Sequence, residues 1–195
     1  GRSRGLGDVY KRQTVCDEVY RTLMKMRWQP SLKIIPHYES DPLYIDALVN
    51  SINKKINEIS WKPDLIIASY HGIPKKYFDK GDPYHCYCHK TTRLISEKFN
   101  SIKIKTTFQS RFGPQEWLQP YTDKTLESLP NEGIKNVLTI CPGFASDCVE
   151  TLEEIQIQAK ESFLNSGGEN FDMVPCLNDN SDHIILLKSL IERNI

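Results

Sequence analysis

Short apolar segments rich in β-branched residues alternate along this chain with helix-like segments, and this alternation limits the folds open to it. Residues 64–70 contain an apolar run typical of a strand that is covered on both faces of a parallel sheet. Further strands are predicted over residues 32–35, 103–109, 136–141 and 171–174. Strands separated by helices indicate an α/β fold with a mainly parallel sheet and right-handed crossovers.

Helical patterns fill the intervals between these strands. In the first two helical patterns, residues 14–26 and 42–59, apolar residues recur at three- and four-residue spacing, which places them on one face of a helix. The predicted helices cover residues 14–26, 42–59, 90–99, 124–129, 147–165 and 181–193. Residues 1–13 have no apolar period, so we expect a non-native or unstructured leader followed by one domain over residues 14–195.

The composition excludes several classes of protein. The 25 basic and 25 acidic side chains balance, and no basic cluster is interleaved with aromatic residues, so we expect no nucleic-acid partner. No apolar run approaches the ~18 residues of a membrane span. Six cysteines are too few for a disulfide-stapled scaffold of this length, and a soluble protein of the reducing cytoplasm is therefore predicted.

Three loops that follow predicted strands combine polar reactive groups with glycine or proline. They cover residues 69–74, 108–114 and 141–147. Ligands of open parallel sheets bind in the crevice outside the carboxyl ends of the strands. We therefore expect the functional groups of this chain in these three loops.

His71 follows the apolar strand of residues 64–70 and precedes a Gly-Ile-Pro sequence. An imidazole held at a rigid strand end can have a pKa near neutrality, which suits acid–base chemistry. The alternative is a histidine that stabilises its own loop by a hydrogen bond. Position alone leaves both interpretations open.

Carboxylates recur in the predicted helix of residues 147–165. Glu150 and Glu154 are four residues apart and therefore lie on one face of an α-helix. Spacing alone favours a solvated acidic surface. In a water-poor cleft the same carboxylates would instead act as proton acceptors or as oxygen ligands for a divalent metal.

Cys86 and Cys88, flanked by His85 and His89, suggest a soft-metal site at first sight. A structural zinc site has two separated ligand pairs, whereas this chain offers one tight Cys-x-Cys and scattered single cysteines. An ordinary segment that leads into a helix is the favoured interpretation, and no iron–sulfur cluster is predicted.

Aromatic residues lie in or beside the three loops. Phe112, Trp117 and Phe144 could stack on a flat aromatic ligand. By themselves, such residues belong more often to a hydrophobic core.

Three long motifs resemble those of the ferrochelatase family in order and spacing. Ser-Tyr-His-Gly-Ile-Pro at residues 69–74 and Gly-Asp-Pro-Tyr at residues 81–84 are similar to the family's histidine loop in its proteobacterial form. Residues 107–123, which include Gln-Ser-Arg-Phe-Gly-Pro, resemble the family's signature stretch. Residues 141–155, which begin Cys-Pro-Gly-Phe-Ala-Ser-Asp-Cys-Val-Glu, resemble its catalytic acidic helix.

The resemblance implies a chelatase-like architecture of two Rossmann-like lobes, each a four-stranded parallel sheet flanked by helices, with the porphyrin between them. This chain is similar to the second lobe, and we expect the first lobe to be missing. Because the first lobe carries much of the porphyrin-binding lip, its absence puts the activity of this chain in question. The resemblance also leaves open a peripheral contact with a membrane surface.

The resemblance further implies that ferrous iron is inserted into protoporphyrin IX to form protoheme, with Fe²⁺ as a substrate and no organic cofactor. It implies that His71 accepts a pyrrole proton or guides the metal, that Glu150 opposes it, and that Glu154 continues a path for protons or metal. Two positions depart from some relatives, which have histidine in place of Cys148 and glutamate in place of Gln158. The implied substrate contacts are Phe112, Trp117, Phe144, Ser110 and Tyr70.

Two alternatives remain at this stage. One is a cobalt or nickel chelatase that acts on sirohydrochlorin, against which the Gln-Ser-Arg-Phe-Gly-Pro sequence of residues 109–114 argues. The other is a non-catalytic module that binds a tetrapyrrole or a metal, which a missing first lobe would make plausible.

Overall fold

A four-stranded parallel sheet forms the centre of the computed structural model, which describes residues 14–99 and 102–195. The strand order is β2-β1-β3-β4, so β1 and β3 are the inner strands. The strands are β1 (Leu65–His71), β2 (Lys103–Gln109), β3 (Asn136–Ile140) and β4 (Asn170–Met173). The predicted α/β class and parallel sheet are confirmed. The predicted leader, residues 1–13, lies outside the described residues.

Helices connect the strands and cover the sheet. The α-helices are α1 (Thr14–Leu23), α2 (Pro42–Glu58), α3 (Lys75–Asp79), α4 (Tyr84–Ser96), α5 (Thr122–Ser128), α6 (Val149–Leu152), α7 (Lys160–Asn165) and α8 (Ser181–Glu192). A 3₁₀ turn, Leu129–Glu132, follows α5, and a π-helical segment, Glu154–Ala159, lies between α6 and α7. In the part of the chain that the structure describes, no helix is both long and apolar enough to cross a membrane.

The inner strand β1 is buried along nearly its whole length because helices cover both faces of the sheet. Successive side chains of a strand point to opposite faces. Accordingly, Ile66 and Ala68 belong to one hydrophobic cluster, whereas Leu65 and Ile67 belong to a second cluster. This double burial explains why the strand is a continuous apolar run instead of an alternating one.

Local signals set the start of the helix that covers β1. Asp41 precedes α2, and its carboxylate accepts a hydrogen bond from the Leu43 N–H at 3.0 Å. Pro42 occupies the first turn, where its missing N–H has no cost. The helix then buries Ile45, Leu48 and other apolar residues in the same cluster as Ile66.

Several of the expected elements have other bounds in the structure, and one is absent. The predicted strand of residues 32–35 is wrong: these residues have no regular structure, and Leu32 is 46% exposed. β-branched residues there give the pattern of a strand, but a strand forms only where a neighbour pairs with it. The helix predicted to begin at Lys90 begins at Tyr84, whose N–H donates to the Asp82 carboxylate at 2.9 Å.

Candidate active site

The carboxyl ends of β1, β2 and β3 meet at one edge of the sheet because the strands are parallel. His71 ends β1 and is paired in register with Gln109, which ends β2. Cys141 directly follows β3. The three loops that were expected to carry the functional groups therefore leave the sheet side by side.

Close approach of two strands shapes the His71 loop. The Gly72 N–H donates to the Gln109 carbonyl at 2.7 Å. A Cβ at Gly72 would lie 3.0 Å from that carbonyl oxygen and 3.2 Å from the Trp117 ring. A glycine is needed here because any side chain would push the two strand ends apart.

The imidazole of His71 is half-buried at this edge. Its Nδ1 lies 2.6 Å from the Gly72 carbonyl oxygen, and its ring centroid lies 6.3 Å from that of Phe144. A carbonyl oxygen only accepts, so this contact is a hydrogen bond when Nδ1 carries the proton. In that tautomer the lone pair of the neutral ring is on Nε2, the atom able to accept a proton or ligate a metal.

Gln109 connects the strand edge to the acidic helix. Its side chain is only 3% exposed. Its Oε1 accepts from the Ser69 hydroxyl at 2.7 Å, and its Nε2 donates to the Glu150 carbonyl at 2.6 Å and to the Glu154 carboxylate at 3.4 Å. One buried amide thus holds two turns of the acidic helix against the end of β2.

Ser110 holds the Glu154 carboxylate on its other side. The Ser110 N–H donates to Glu154 at 2.6 Å, and the Ser110 hydroxyl donates to the second carboxylate oxygen. Ser110 has a φ of 63°, a left-handed backbone conformation that turns its N–H towards the helix. The carboxylate therefore lies in a polar recess and not on a fully solvated helix face.

The acidic helix is not a regular α-helix. α6 ends at Leu152, and the next segment, Glu154–Ala159, is π-helical, with the Gln158 N–H donating to the Glu153 carbonyl at 2.9 Å. The α-helical spacing expected for Glu150 and Glu154 thus does not continue through the helix. Short π-helical segments are rare, and many occur at functional sites.

A cleft of about 450 Å³ opens beside this segment. Its walls include Gln109, Ser110, Glu150, Glu154 and Gln158. Arg111 also lines it and is paired with Asp123, so one cation accompanies the carboxylates. His71 is not among the described residues that line this cleft, but it adjoins it through its backbone pairing with Gln109.

The predicted aromatic contacts have different surroundings. Phe112 is 84% exposed, and Trp117, half-buried, donates its indole N–H to the Phe112 carbonyl at 3.0 Å. Phe144 is buried behind His71. Tyr70 is 3% exposed and shares a hydrogen bond with the Thr92 hydroxyl at 3.0 Å. Because Tyr70 packs in the core, we do not include it among the proposed substrate contacts.

Possible metal ligands are dispersed. Among residues 14–99 and 102–195, no three His, Cys, Asp or Glu side chains come together as a group that could hold a metal ion. A metal at His71 or Glu150 would therefore complete its coordination with water or with atoms of a second substrate. Cys86 is exposed on α4 while Cys88 is buried, and this burial raises the pKa of the Cys88 thiol.

The ferrochelatase family model matches residues 11–195, which is nearly the whole chain. The chain belongs to the ferrochelatase family. It is 54% identical over 184 residues to the ferrochelatases of Rhizobium meliloti and Allorhizobium ampelinum, and 50% identical to that of Agrobacterium fabrum. Each match covers 93% of this chain but 54% of the relative, so the chain spans about half the length of these curated ferrochelatases.

A solved structure supports the fold of this ferrochelatase chain. A multi-domain protein from Deinococcus radiodurans, described as structurally similar to chelatases, superposes with a TM-score of 0.51 at 11% sequence identity. The match covers 76% of this chain and 29% of that protein. At this identity the likeness concerns the fold alone, and it confirms the expected chelatase-like α/β fold, a parallel sheet flanked by helices.

Sequence reasoning did not single out Gln109, although a signal was available. A glutamine is the last residue of an otherwise strand-like segment, and a polar residue at a buried strand end has to find hydrogen-bond partners. The register with His71 and the bonds to Glu150 and Glu154 become visible only in the folded chain.

Replacing Gln109 with leucine is expected to lower the free energy of unfolding by about 2 kcal/mol, because Glu150 and Glu154 lose a buried donor while the volume is kept. Urea-induced unfolding measures the change. Gln158→Leu is the matched control, since Gln158 is exposed and its amide donates to the exposed Glu153, and it should change stability by less than about 0.5 kcal/mol. Equal losses for the two variants would contradict the anchoring role.

Proposed function

We propose that this protein inserts ferrous iron into protoporphyrin IX to form protoheme, the terminal step of heme biosynthesis. The observation that carries the proposal is the family match over residues 11–195. The arrangement of His71, Gln109 and the acidic helix at the carboxyl edge of the sheet supports it, because this edge is where parallel sheets bind ligands.

Metal insertion makes demands that these side chains can meet. Hydrated Fe²⁺ has to lose water, and two pyrrole N–H protons have to leave the porphyrin. His71, through Nε2, accepts a pyrrole proton or guides the metal. Glu150 and Glu154 provide carboxylate oxygens, which suit a proton path or a hard divalent cation.

The flat macrocycle needs an apolar surface as well as reactive groups. We infer that Phe112 and Trp117 contact the porphyrin from the open side and that Phe144 supports His71 from behind. Phe112 is 84% exposed, and an aromatic ring this exposed is available to stack on a flat ligand. Ser110, whose N–H donates to Glu154, completes the contact set.

The relatives are nearly twice as long as this chain. We infer that the part of a ferrochelatase outside the match supplies the opposite wall of the porphyrin site, so that the complete container needs both parts. We place the reaction in the reducing cytoplasm, which the free thiols of the six cysteines support.

A chimera tests the proposal. In it, the 184 matched residues of the Rhizobium meliloti ferrochelatase are replaced by the corresponding residues of this chain. Mixed anaerobically with Fe²⁺ and protoporphyrin IX, the chimera should form protoheme, which is followed by the change in the porphyrin absorption spectrum.

The isolated chain is assayed beside the chimera. The chain matches only about half the length of the curated ferrochelatases, and this observation favours one alternative, a non-catalytic module that binds a tetrapyrrole or a metal. A folded chimera that binds protoporphyrin without forming protoheme would favour that module and contradict the enzymatic proposal. Circular dichroism of the chimera verifies that it is folded before either conclusion is drawn.

A further inference from the structure

Two histidines of α4 stand side by side, away from the acidic helix. His85 and His89 are four residues apart, so their side chains project from the same face of the helix. Their ring centroids are 4.4 Å apart, and the ring planes are inclined by 50°. His89 is exposed and His85 is half-buried, so solvent reaches the pair.

We propose that His85 and His89 form a chelating pair that binds one divalent ion of a late first-row transition metal. This site does not depend on the proposed iron insertion. It uses neither Cys86 nor Cys88 as a ligand.

The ring separation fits two imidazoles on one ion. An imidazole nitrogen lies about 2.0–2.1 Å from a bound zinc ion, and its ring centroid lies about 1.2 Å further out. Two such rings therefore have centroids about 4.5 Å apart at a right angle and about 5.2 Å apart at the tetrahedral angle. The 4.4 Å of the His85–His89 pair is near the lower of these values, so only small side-chain rotations are needed.

The surroundings of the two rings favour their neutral form, which is the form that binds metal. His85 packs against Phe78 and Phe108, with centroids 4.8 Å and 5.7 Å away. Partial loss of water around the rings lowers the pKa of both histidines, and the neighbouring His89 lowers the pKa of His85 further. Neutral imidazole is the ligand form, so less proton competition has to be overcome.

No hydrogen bond to the described protein atoms holds either ring in place. Ring contacts position the pair without using its nitrogens, and an ion between the two rings would satisfy a nitrogen of each. Cys86 follows His85 directly and so points to a different face of α4, and Cys88 is buried with a raised thiol pKa.

The donor set selects the class of metal. Two imidazoles and no third His, Cys, Asp or Glu within the described ranges leave the other positions to water. Imidazole donors suit copper, nickel and zinc, and affinity along the first row rises towards copper. The pair should thus prefer Cu²⁺ and Ni²⁺ to Fe²⁺.

Calorimetric titration of the 195-residue chain with Ni²⁺ tests the site. One equivalent of Ni²⁺ should bind and raise the melting temperature. His89→Gln should weaken this binding by about 100-fold, because the second imidazole of a chelating pair binds in an intramolecular step. His89 is exposed, so the variant should fold, and its melting temperature without metal verifies this.

His37→Ala and Cys86→Ser are the matched controls, since both remove an exposed metal-binding side chain and both should keep the wild-type affinity. The electron paramagnetic resonance spectrum of the Cu²⁺ form should show coupling to two nitrogens, and to one nitrogen in His85→Ala. Unchanged Ni²⁺ binding in His89→Gln, or its loss in either control, would overturn the proposal.

Discussion

Replacing His71 with alanine in the chimera is expected to lower the rate of iron insertion by about 10²- to 10⁴-fold, the range over which positioned acid–base groups act. The imidazole ends β1, its Nδ1 contacts the Gly72 carbonyl, and in our proposal Nε2 takes the proton or the metal. Alanine keeps the strand but removes this atom. Because the ring is only half-buried, the fold should persist.

The measurement is the initial rate of protoheme formation at saturating Fe²⁺ and protoporphyrin IX. His37→Ala is the matched control, because His37 is exposed and contacts Tyr87 away from the strand ends, and it should keep the full rate. Porphyrin binding, followed by absorption, should survive in both variants. A His71→Ala chimera that keeps its rate would refute the assignment of His71.

Replacing Phe163 with alanine is expected to lower the free energy of unfolding by about 3–5 kcal/mol, among the largest single losses that a core substitution produces. The side chain is fully buried in α7, and its ring centroid lies 6.0 Å from that of Phe171 in β4. Alanine would leave a cavity between helix and sheet. Urea-induced unfolding should show a lower midpoint with an unchanged slope.

Gly168 offers a second test of the same packing. A Cβ at Gly168 would lie 2.2 Å from the Phe163 ring, so Gly168→Ala alone should cost about 1–3 kcal/mol through overpacking. In the Phe163→Ala background the clash is gone, and the second substitution should cost almost nothing, which a double-mutant cycle detects.

Gly133→Ala is the control for that cycle. Gly133 has a φ of 85° and open space around its Cα, so alanine there should cost about 1–2 kcal/mol through backbone strain alone. That cost should be the same with or without Phe163. Additive losses for Gly168→Ala and Phe163→Ala would contradict the packing described for α7.

Local pattern was sufficient for most of the secondary structure. The strand predicted over residues 103–109 is β2, and the predicted strand of residues 64–70 is β1 moved by one residue. The apolar run at residues 65–68 predicts β1, because a strand that is covered on both faces need not alternate with polar residues. Residues 32–35 do not form a strand, because no other strand of the described chain pairs with them.

The sequence also predicted that His71, Glu150 and the motifs around them follow strands at one edge of the sheet. Their catalytic roles stay predictions. The family match shows that the chain belongs to the family. Because the match covers only about half of each relative, the activity of this chain has to be measured. Tyr70, expected at the substrate, is in the core because alternate residues of β1 point to opposite faces.

What the chain itself determined, then, is the α/β class, the parallel strands and the loops that follow them, since each depends on the burial and turn preferences of neighbouring residues. Tertiary structure alone decided the bonds of Gln109 to Glu150 and Glu154, the π-helical segment beside them and the 4.4 Å distance between the rings of His85 and His89. These depend on the distance between elements remote in sequence and on side-chain rotamers, which packing selects and no local pattern encodes.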